Sequence, residues 1–238
     1  MITSLVITID GPAGTGKSSV ANRLAQRLGL EFLDTGAMYR AAALLALELG
    51  LSPDGGHELA AAIGREPPRF DWKSSPPRLL LGNRDVSERI RDADVTGIVS
   101  RVAACPEVRR QMVAWQRAAA MQHPRLVTEG RDQGSVVFPD APLRIYLDAD
   151  PHVRARRRAE QLRAAGRAAD EADILRGILE RDRIDSGRSE GPLRVPEGAE
   201  RVDTSTLDLQ GVVERLETLA RARLGDRLAQ NAAAAARA

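Results

Sequence analysis

Gly11-Pro12-Ala13-Gly14-Thr15-Gly16-Lys17-Ser18 fits the pattern G-x-x-x-x-G-K-[ST] at every fixed position. Its flanks narrow the possible folds. The apolar run Leu5 to Ile9 in front of it reads as a buried strand, and residues 17–28 behind it read as a helix. In such a turn the glycines let backbone N–H groups close on phosphate oxygens, and the helix adds the positive end of its dipole. Lys17 can reach the outer phosphates of a nucleoside triphosphate, and the Ser18 hydroxyl can ligate Mg²⁺. The loop says almost nothing about what would accept a phosphoryl group.

The following residues keep an α/β rhythm. Glu31 to Asp34 reads as a short strand and residues 36–50 as a helix ending at Gly50. A βαβα opening predicts a parallel sheet flanked by helices. The pattern breaks over residues 52–91, where SPDGG, EPP and SSPPR separate the short runs RFDW and RLLL. This segment is predicted to be a small insert with one or two β-hairpins. Helices are then expected at 93–104 and 106–121, strands at 125–130 and 143–149, and arginine-rich helices at 151–165 and 170–184. The run ERVDTS reads as a last strand and 207–224 as a last helix, followed by a low-complexity tail, 227–238, expected to be disordered. The expected division is a core over 1–51 and 92–226, the insert over 52–91, and a lid over about 153–170.

The 238 residues suffice for one such core with a small insert. No apolar run nears the roughly 20 residues that span a bilayer, and the first ten residues lack the plan of a signal peptide. Cys105 is the sole cysteine, so no intrachain disulfide can form and a cytoplasmic location is expected. A net charge of only +2 argues against a dedicated nucleic-acid binder. Of 35 basic residues two are lysines, and one of these stands in the glycine loop. The three histidines show no metal spacing.

The guanine-reading N-K-x-D of GTPases is absent, and motor ATPases and transporters usually need more chain. A small kinase fits the length best. It needs a second pocket for the acceptor, and three stretches suit one. LDTGAMYR (33–40) opens a helix carrying Tyr39 and Arg40. TEGRDQGSVVFPDA (128–141) clusters Glu129, Arg131 and Asp132 at a strand's carboxyl end, where open α/β sheets collect ligands. In ERDRIDSGR (180–188), Arg181, Asp185 and Arg188 share one helical face, with Gly187 suggesting the helix end. Taken singly, each is ordinary surface chemistry. From the residues alone, the acceptor could be any of several nucleotides or a metabolite such as shikimate. A nucleotide-binding regulatory or RNA-associated protein using the arginine run 154–158 is a reading from another class.

The stretches ITIDGPAGTGKSS, LDTGAMYR, RDVSERIR, VSRVAACPEVRRQM, EGRDQGSVVFPDAPLRIYLDA, RARRR, ERDRIDSGRSEGPL and VDTSTLDLQGVVE together resemble the bacterial cytidylate (CMP) kinases, in family order, over roughly residues 5 to 217. The resemblance implies a P-loop nucleoside monophosphate kinase: a five-stranded parallel core, an inserted monophosphate-binding domain and a short lid. It implies phosphoryl transfer from ATP to CMP or dCMP, with Mg²⁺ as cofactor, these nucleotides as partners, neither nucleic acid nor membrane, and a monomer. Gly11 to Ser19 would bind ATP, with Arg157 and Arg158 as lid arginines over its phosphates. Arg40 and Arg131 would grip the CMP phosphate. Thr35, Ser100, Arg109, Asp132 and Arg188 would read cytosine, while Arg181 and Asp185 would contact ribose. Lys17, Arg131 and Arg181 would be the catalytic charges and Ser18 the metal ligand. The chain departs from the family at Thr35, usually serine, and at Ser18-Ser19, commonly Gly-Thr. Gln133 replaces an apolar residue, and Glu129 stands where some members have aspartate.

Overall fold

The structure is a computed structural model and describes residues 4–229. Five parallel strands form its centre: β1 (Leu5–Asp10), β2 (Glu31–Asp34), β6 (Arg125–Gly130), β7 (Leu143–Asp148) and β8 (Glu200–Asp203), in the order β2-β6-β1-β7-β8. β1 is flanked on both edges and covered on both faces, so all six of its residues are buried. Its alternation decides which helix packs where. Leu5, Ile7 and Ile9 meet Val20 and Leu24 of α1 (Lys17–Leu28) and Val213 and Leu216 of α8 (Leu209–Ala229). Val6, on the other face, packs with Leu33 and Leu126.

A second apolar cluster joins α2 (Thr35–Leu49), α3 (Gly56–Arg65), α4 (Ala93–Val102) and α5 (Pro106–Gln122). The segment expected to be the insert contributes α3 and an antiparallel sheet of β3 (Pro68–Asp71), β4 (Arg78–Leu81) and β5 (Arg84–Asp85). Leu59, Ile63, Leu79 and Leu81 carry this segment into the α2 cluster. Beyond β3, Trp72 stacks on His123 with ring centroids 3.9 Å apart, and His123 Nδ1 lies 2.9 Å from Glu31 Oε1. Cys105 is a buried thiol. After β7, α6 (Pro151–Ala164) and α7 (Glu171–Ser186) form a helical hairpin. Residues 153–170, the expected lid, are most of α6 and the connection to α7. Among the described residues no helix is long and apolar enough to cross a membrane.

Two sequence expectations need correction, and one turn was not anticipated. Residues 56–65 form α3, where only hairpins were expected. Flanking glycines and prolines hide a helix whose buried side is Leu59, Ala60, Ala62 and Ile63. The chain after Asp132 makes a π-helical turn, Gln133–Val137, that no local pattern announces. The last helix runs to Ala229, so residues 227–229 are helical, with Leu224 still buried against the sheet face. The remainder of the expected disordered tail, 230–238, lies outside the described residues.

Two glycines place the loop. Gly11 has φ +151°, and a Cβ there would overlap the carbonyl of Leu147 in β7. Gly16 has φ +83° but nothing within 4 Å of a Cβ. Gly11→Ala is expected to lose more than the roughly 1–3 kcal/mol of a strained backbone alone, read as a fall of several degrees in Tm. Gly16→Ala should lose less, because strain acts there without overlap. Equal melting temperatures for the two variants would contradict this packing.

Candidate active site

The loop from β1 to α1 lies at the carboxyl edge of the sheet, where β6 also delivers Glu129 and Arg131. Lys17 is buried at the start of α1. Its Nζ donates to the carbonyl of Pro12 at 2.6 Å and to Thr15 Oγ1 at 3.3 Å, folding it back on its own loop. Burial, with Arg131 and Arg181 nearby, lowers its pKa to about 7, against the opposing pull of Glu129 and Asp182. Ser18 Oγ donates to Glu129 Oε1 at 2.8 Å, whereas Ser19 is exposed on the first turn of α1. Burial and the nearby Asp34 raise Glu129, while Lys17 and Arg131 pull it down. The hydroxyl and carboxylate oxygens of Ser18, Glu129 and Asp34 suit a hard divalent cation. Among the described residues no three His, Cys, Asp or Glu side chains converge as a metal site, so a cation beside Ser18 would complete its shell with phosphate oxygens and water.

On the acceptor side, Arg131 Nε donates to Asp185 Oδ2 at 2.8 Å. Against the cost of burial, Asp185 and Glu129 hold Arg131 above its ordinary pKa. Asp185 is 1% exposed, and its other oxygen takes Arg188. Burial would raise its carboxyl, but Arg131, Arg188 and Arg181 keep it below the usual range. The expected helical-face neighbours Arg181 and Asp185 are not hydrogen-bonded; the loop residues Arg131 and Arg188 take both carboxylate oxygens instead. Arg181 is lowered to about 10 by burial and by Arg131, and its Nε is buried without a partner. Arg188 follows the α7 C-cap Gly187, so it stands on a loop.

Arg40, on α2, is half-buried, donates to the carbonyl of Ile90 and to Thr96 Oγ1, and feels the charges of Asp34, Arg91, Arg131 and Arg158. Arg109 of α5 is buried, pairs with Asp132 and lies over the Tyr39 ring at 5.6 Å. Burial raises Asp132, opposed by Arg109 and Arg188. Thr35 is buried and donates to the carbonyl of Glu129 at 2.6 Å; Ser100 is buried on α4. Gln133 now has a physical account. Its side chain accepts from Thr128 Oγ1 at 2.9 Å and donates to Gln116 Oε1 at 3.1 Å, and its amide donates to Asp10. The amide of Gly134 donates to the second Asp10 oxygen, so β1 pins the turn behind Asp132.

The arginine run divides by helix face. Arg157 donates to the carbonyls of Thr204 and Leu207, at 2.6 and 2.8 Å, in the loop after β8. Arg158 is exposed on α6, and partial desolvation with Arg167 and Arg91 nearby lowers its pKa. Arg154 is buried and bonds the carbonyls of Ala149 and Ala13 and the carboxylate of Asp182. Sequence reasoning assigned nothing to Arg154, Asp182 or Asp10. The i, i+4 spacing from Arg154 to Arg158 and the tandem Arg181-Asp182 were the available signals.

A model of the family described as "Cytidylate kinase" matches residues 7–222. A cytidylate kinase of Mycobacterium leprae is 46% identical over 224 residues, 94% of this chain and 99% of the relative. One of Corynebacterium efficiens is 45% identical over 218 residues, 92% of this chain and 95% of the relative. Among solved structures, an uncharacterized protein from Eubacterium ventriosum shares the fold at a TM-score of 0.52 with 12% identity, over 93% of this chain and 100% of that one.

A polyphosphate anion beside Lys17 would return its lowered pKa toward the ordinary value. Binding a nucleoside triphosphate at about pH 8 is therefore expected to take up close to one proton. Uptake should vanish well below pH 7, where Lys17 is already charged. Calorimetry in two buffers of different ionisation heat reads it directly. Equal proton uptake by the wild type and Lys17→Ala at pH 8 would clear Lys17 of the effect.

Proposed function

As the chain belongs to the cytidylate kinase family, we propose that it transfers the γ-phosphoryl group of ATP to CMP, and to dCMP, giving ADP and CDP or dCDP. The single observation that carries this reading is the buried convergence of Lys17, Arg131 and Arg181 between the glycine loop and the Arg109–Asp132 pair. One end of this arrangement suits a triphosphate and the other a base with mixed donors and acceptors.

In this reading the amides of the glycine loop and Lys17 hold the ATP phosphates. Ser18, with Glu129 and Asp34 behind it, would hold Mg²⁺, which supplies charge neutralisation on the phosphates when bound. Arg40 and Arg131 hold the acceptor phosphate and cancel charge that would repel the incoming group. No general base is needed, because the attacking oxygen of CMP is already anionic. The chain's contribution is positioning and charge stabilisation. Asp132 accepts from the cytosine amine, and Arg109 and Arg188 donate to ring acceptors. Uracil reverses part of that pattern and would leave buried groups unpaired. Thr35 donates its hydroxyl hydrogen to a backbone carbonyl, so toward a base it would act as an acceptor. Arg157 and Arg158 are the lid arginines over the ATP phosphates, and Arg157 would leave the carbonyls of Thr204 and Leu207 to reach them. A cytoplasmic location suits both nucleotides.

A coupled ADP-release assay across CMP, dCMP, UMP and AMP tests the assignment; strongest turnover with UMP or AMP would overturn it. Lys17→Ala is expected to lose about 10²–10³ in rate while remaining folded. Arg131→Met and Arg40→Met should each raise KM for CMP and lower kcat together, because the same groups bind and align the acceptor. Unchanged CMP kinetics in either arginine variant would place that residue outside the acceptor pocket. Asp185→Ala removes the partner of both Arg131 and Arg188, so kcat/KM should fall for CMP and dCMP alike. A loss confined to CMP would point instead to a ribose 2′-hydroxyl contact.

A further inference from the structure

The crest of the glycine loop is held by the helical hairpin, not by the loop itself. The amide of Ala13 donates to Asp182 Oδ1 at 2.9 Å, and its carbonyl accepts from Arg154 Nη1 at 2.8 Å. The same Arg154 nitrogen reaches Asp182 Oδ2 at 2.6 Å, closing a ring of three groups. Arg154 Nε is anchored in turn on the carbonyl of Ala149 at 3.0 Å, at the mouth of α6. A Cβ on Gly14 would touch Arg154 Cβ and Ile178 Cδ1, both at 3.4 Å, so α6 and α7 also pack directly against the crest. Arg154 is 4% exposed.

From this geometry we infer that Arg154 and Asp182 are positioning residues for the triphosphate site. They fix the peptide of Ala13 and thereby aim the amides that follow it at the phosphates. Among the described residues Ala13 is the loop position whose amide meets a side-chain acceptor. Its peptide groups are thus committed to the hairpin, and the amides from Gly14 onward are left for phosphate. The helix that carries Arg181 into the site therefore also sets the shape of the loop, through the next residue in sequence. Losing either partner leaves a buried charge and an unpaired peptide group at the crest, and the loop loses its fixed aim.

The inference rests on the glycine loop being the triphosphate site and not on the identity of the acceptor. Titration of the full chain with a fluorescent ATP analogue, without acceptor, is the direct test. Asp182→Asn and Arg154→Met should each weaken binding roughly tenfold or more. The double variant should be no weaker than the worse single one, because both act on one peptide. In steady-state assays KM for ATP should rise in the same proportion, while KM for CMP stays within about twofold. That split separates positioning of one substrate from general loosening, which would move both. Unchanged or tighter analogue binding would overturn the inference, tighter binding because Asp182 would then be a competitor of phosphate for the Ala13 amide. Equal changes in both KM values would also overturn it. If Asp182→Asn does not fold, Asp182→Glu decides: its longer side chain keeps the charge but displaces it from Ala13, and wild-type affinity in that variant refutes the proposal.

Discussion

Lys17, Arg131 and Arg181 converge at the carboxyl edge of the sheet, where removal from water and, after it, mutual repulsion act against their charges. Two unit charges 4 Å apart at an effective dielectric of about 20 interact by roughly 4 kcal/mol. Burial, and after it the nearby Arg131, lowers Lys17 and Arg181, whereas Asp185 and Glu129 hold Arg131 up. Three carboxylates are set among the cations. Glu129 opposes Lys17 and Arg131, Asp182 sits by Ala13 and Arg154, and Asp185 takes Arg131 and Arg188. Lys17 turns back on a backbone carbonyl, and Arg181 Nε is buried with no hydrogen-bond partner among the described residues.

The fold brings these groups together through parallel strand ends. β1 and β6 pair in register from Leu5 and Arg125 to Asp10 and Gly130, so both strands release their loops side by side. Asp10, the last residue of β1, then accepts two amides from the turn after Asp132. That single carboxylate ties the glycine loop's strand to the acceptor loop. Buried side chains such as Gln133 and Gln116 stiffen the same turn from behind. The acceptor loop is thus held by polar contacts at several points, which a site needing placement within a fraction of an ångström requires.

The central fold was legible because its signals are local. Strand–loop–helix order, the period of the apolar residues and the glycine at Gly50 locate β1, α1, β2 and α2 to within a residue or two. Glycine and proline clusters punctuate residues 52–91 so heavily that they obscured α3, which is ordered by packing of Leu59 and Ile63 against α2 rather than by its own caps. The π-helical turn was invisible for a related reason: its donors are answered by Asp10, more than a hundred residues away. In the site, residue types were legible and pairings were not. Helical spacing joined Arg181, Asp185 and Arg188; Asp185 does take Arg188, but its second oxygen goes to Arg131 from the end of β6 and not to Arg181. The arginine run announced charge without announcing direction. Only packing shows that Arg154 faces the glycine loop and that Arg157 faces the loop after β8.

The acceptor side carries a consequence for selectivity. The charged groups proposed to hold the acceptor are already paired with one another: Arg109 with Asp132, and Asp185 with both Arg131 and Arg188. The Arg109–Asp132 pair is fully buried and Asp185 nearly so, so a ligand that meets these groups cannot simply add contacts. It must replace an ion pair with bonds of its own, and breaking a buried pair without replacement costs about 3–5 kcal/mol. A base with donors and acceptors in the right order makes the exchange nearly even. A base with one of them reversed leaves a buried charge facing nothing, and loses far more than one hydrogen bond. Discrimination of this kind comes from the penalty on the wrong ligand rather than from tight binding of the right one. It also leaves affinity for the correct acceptor moderate, because the pairs that enforce the choice must first be opened by the ligand that satisfies it.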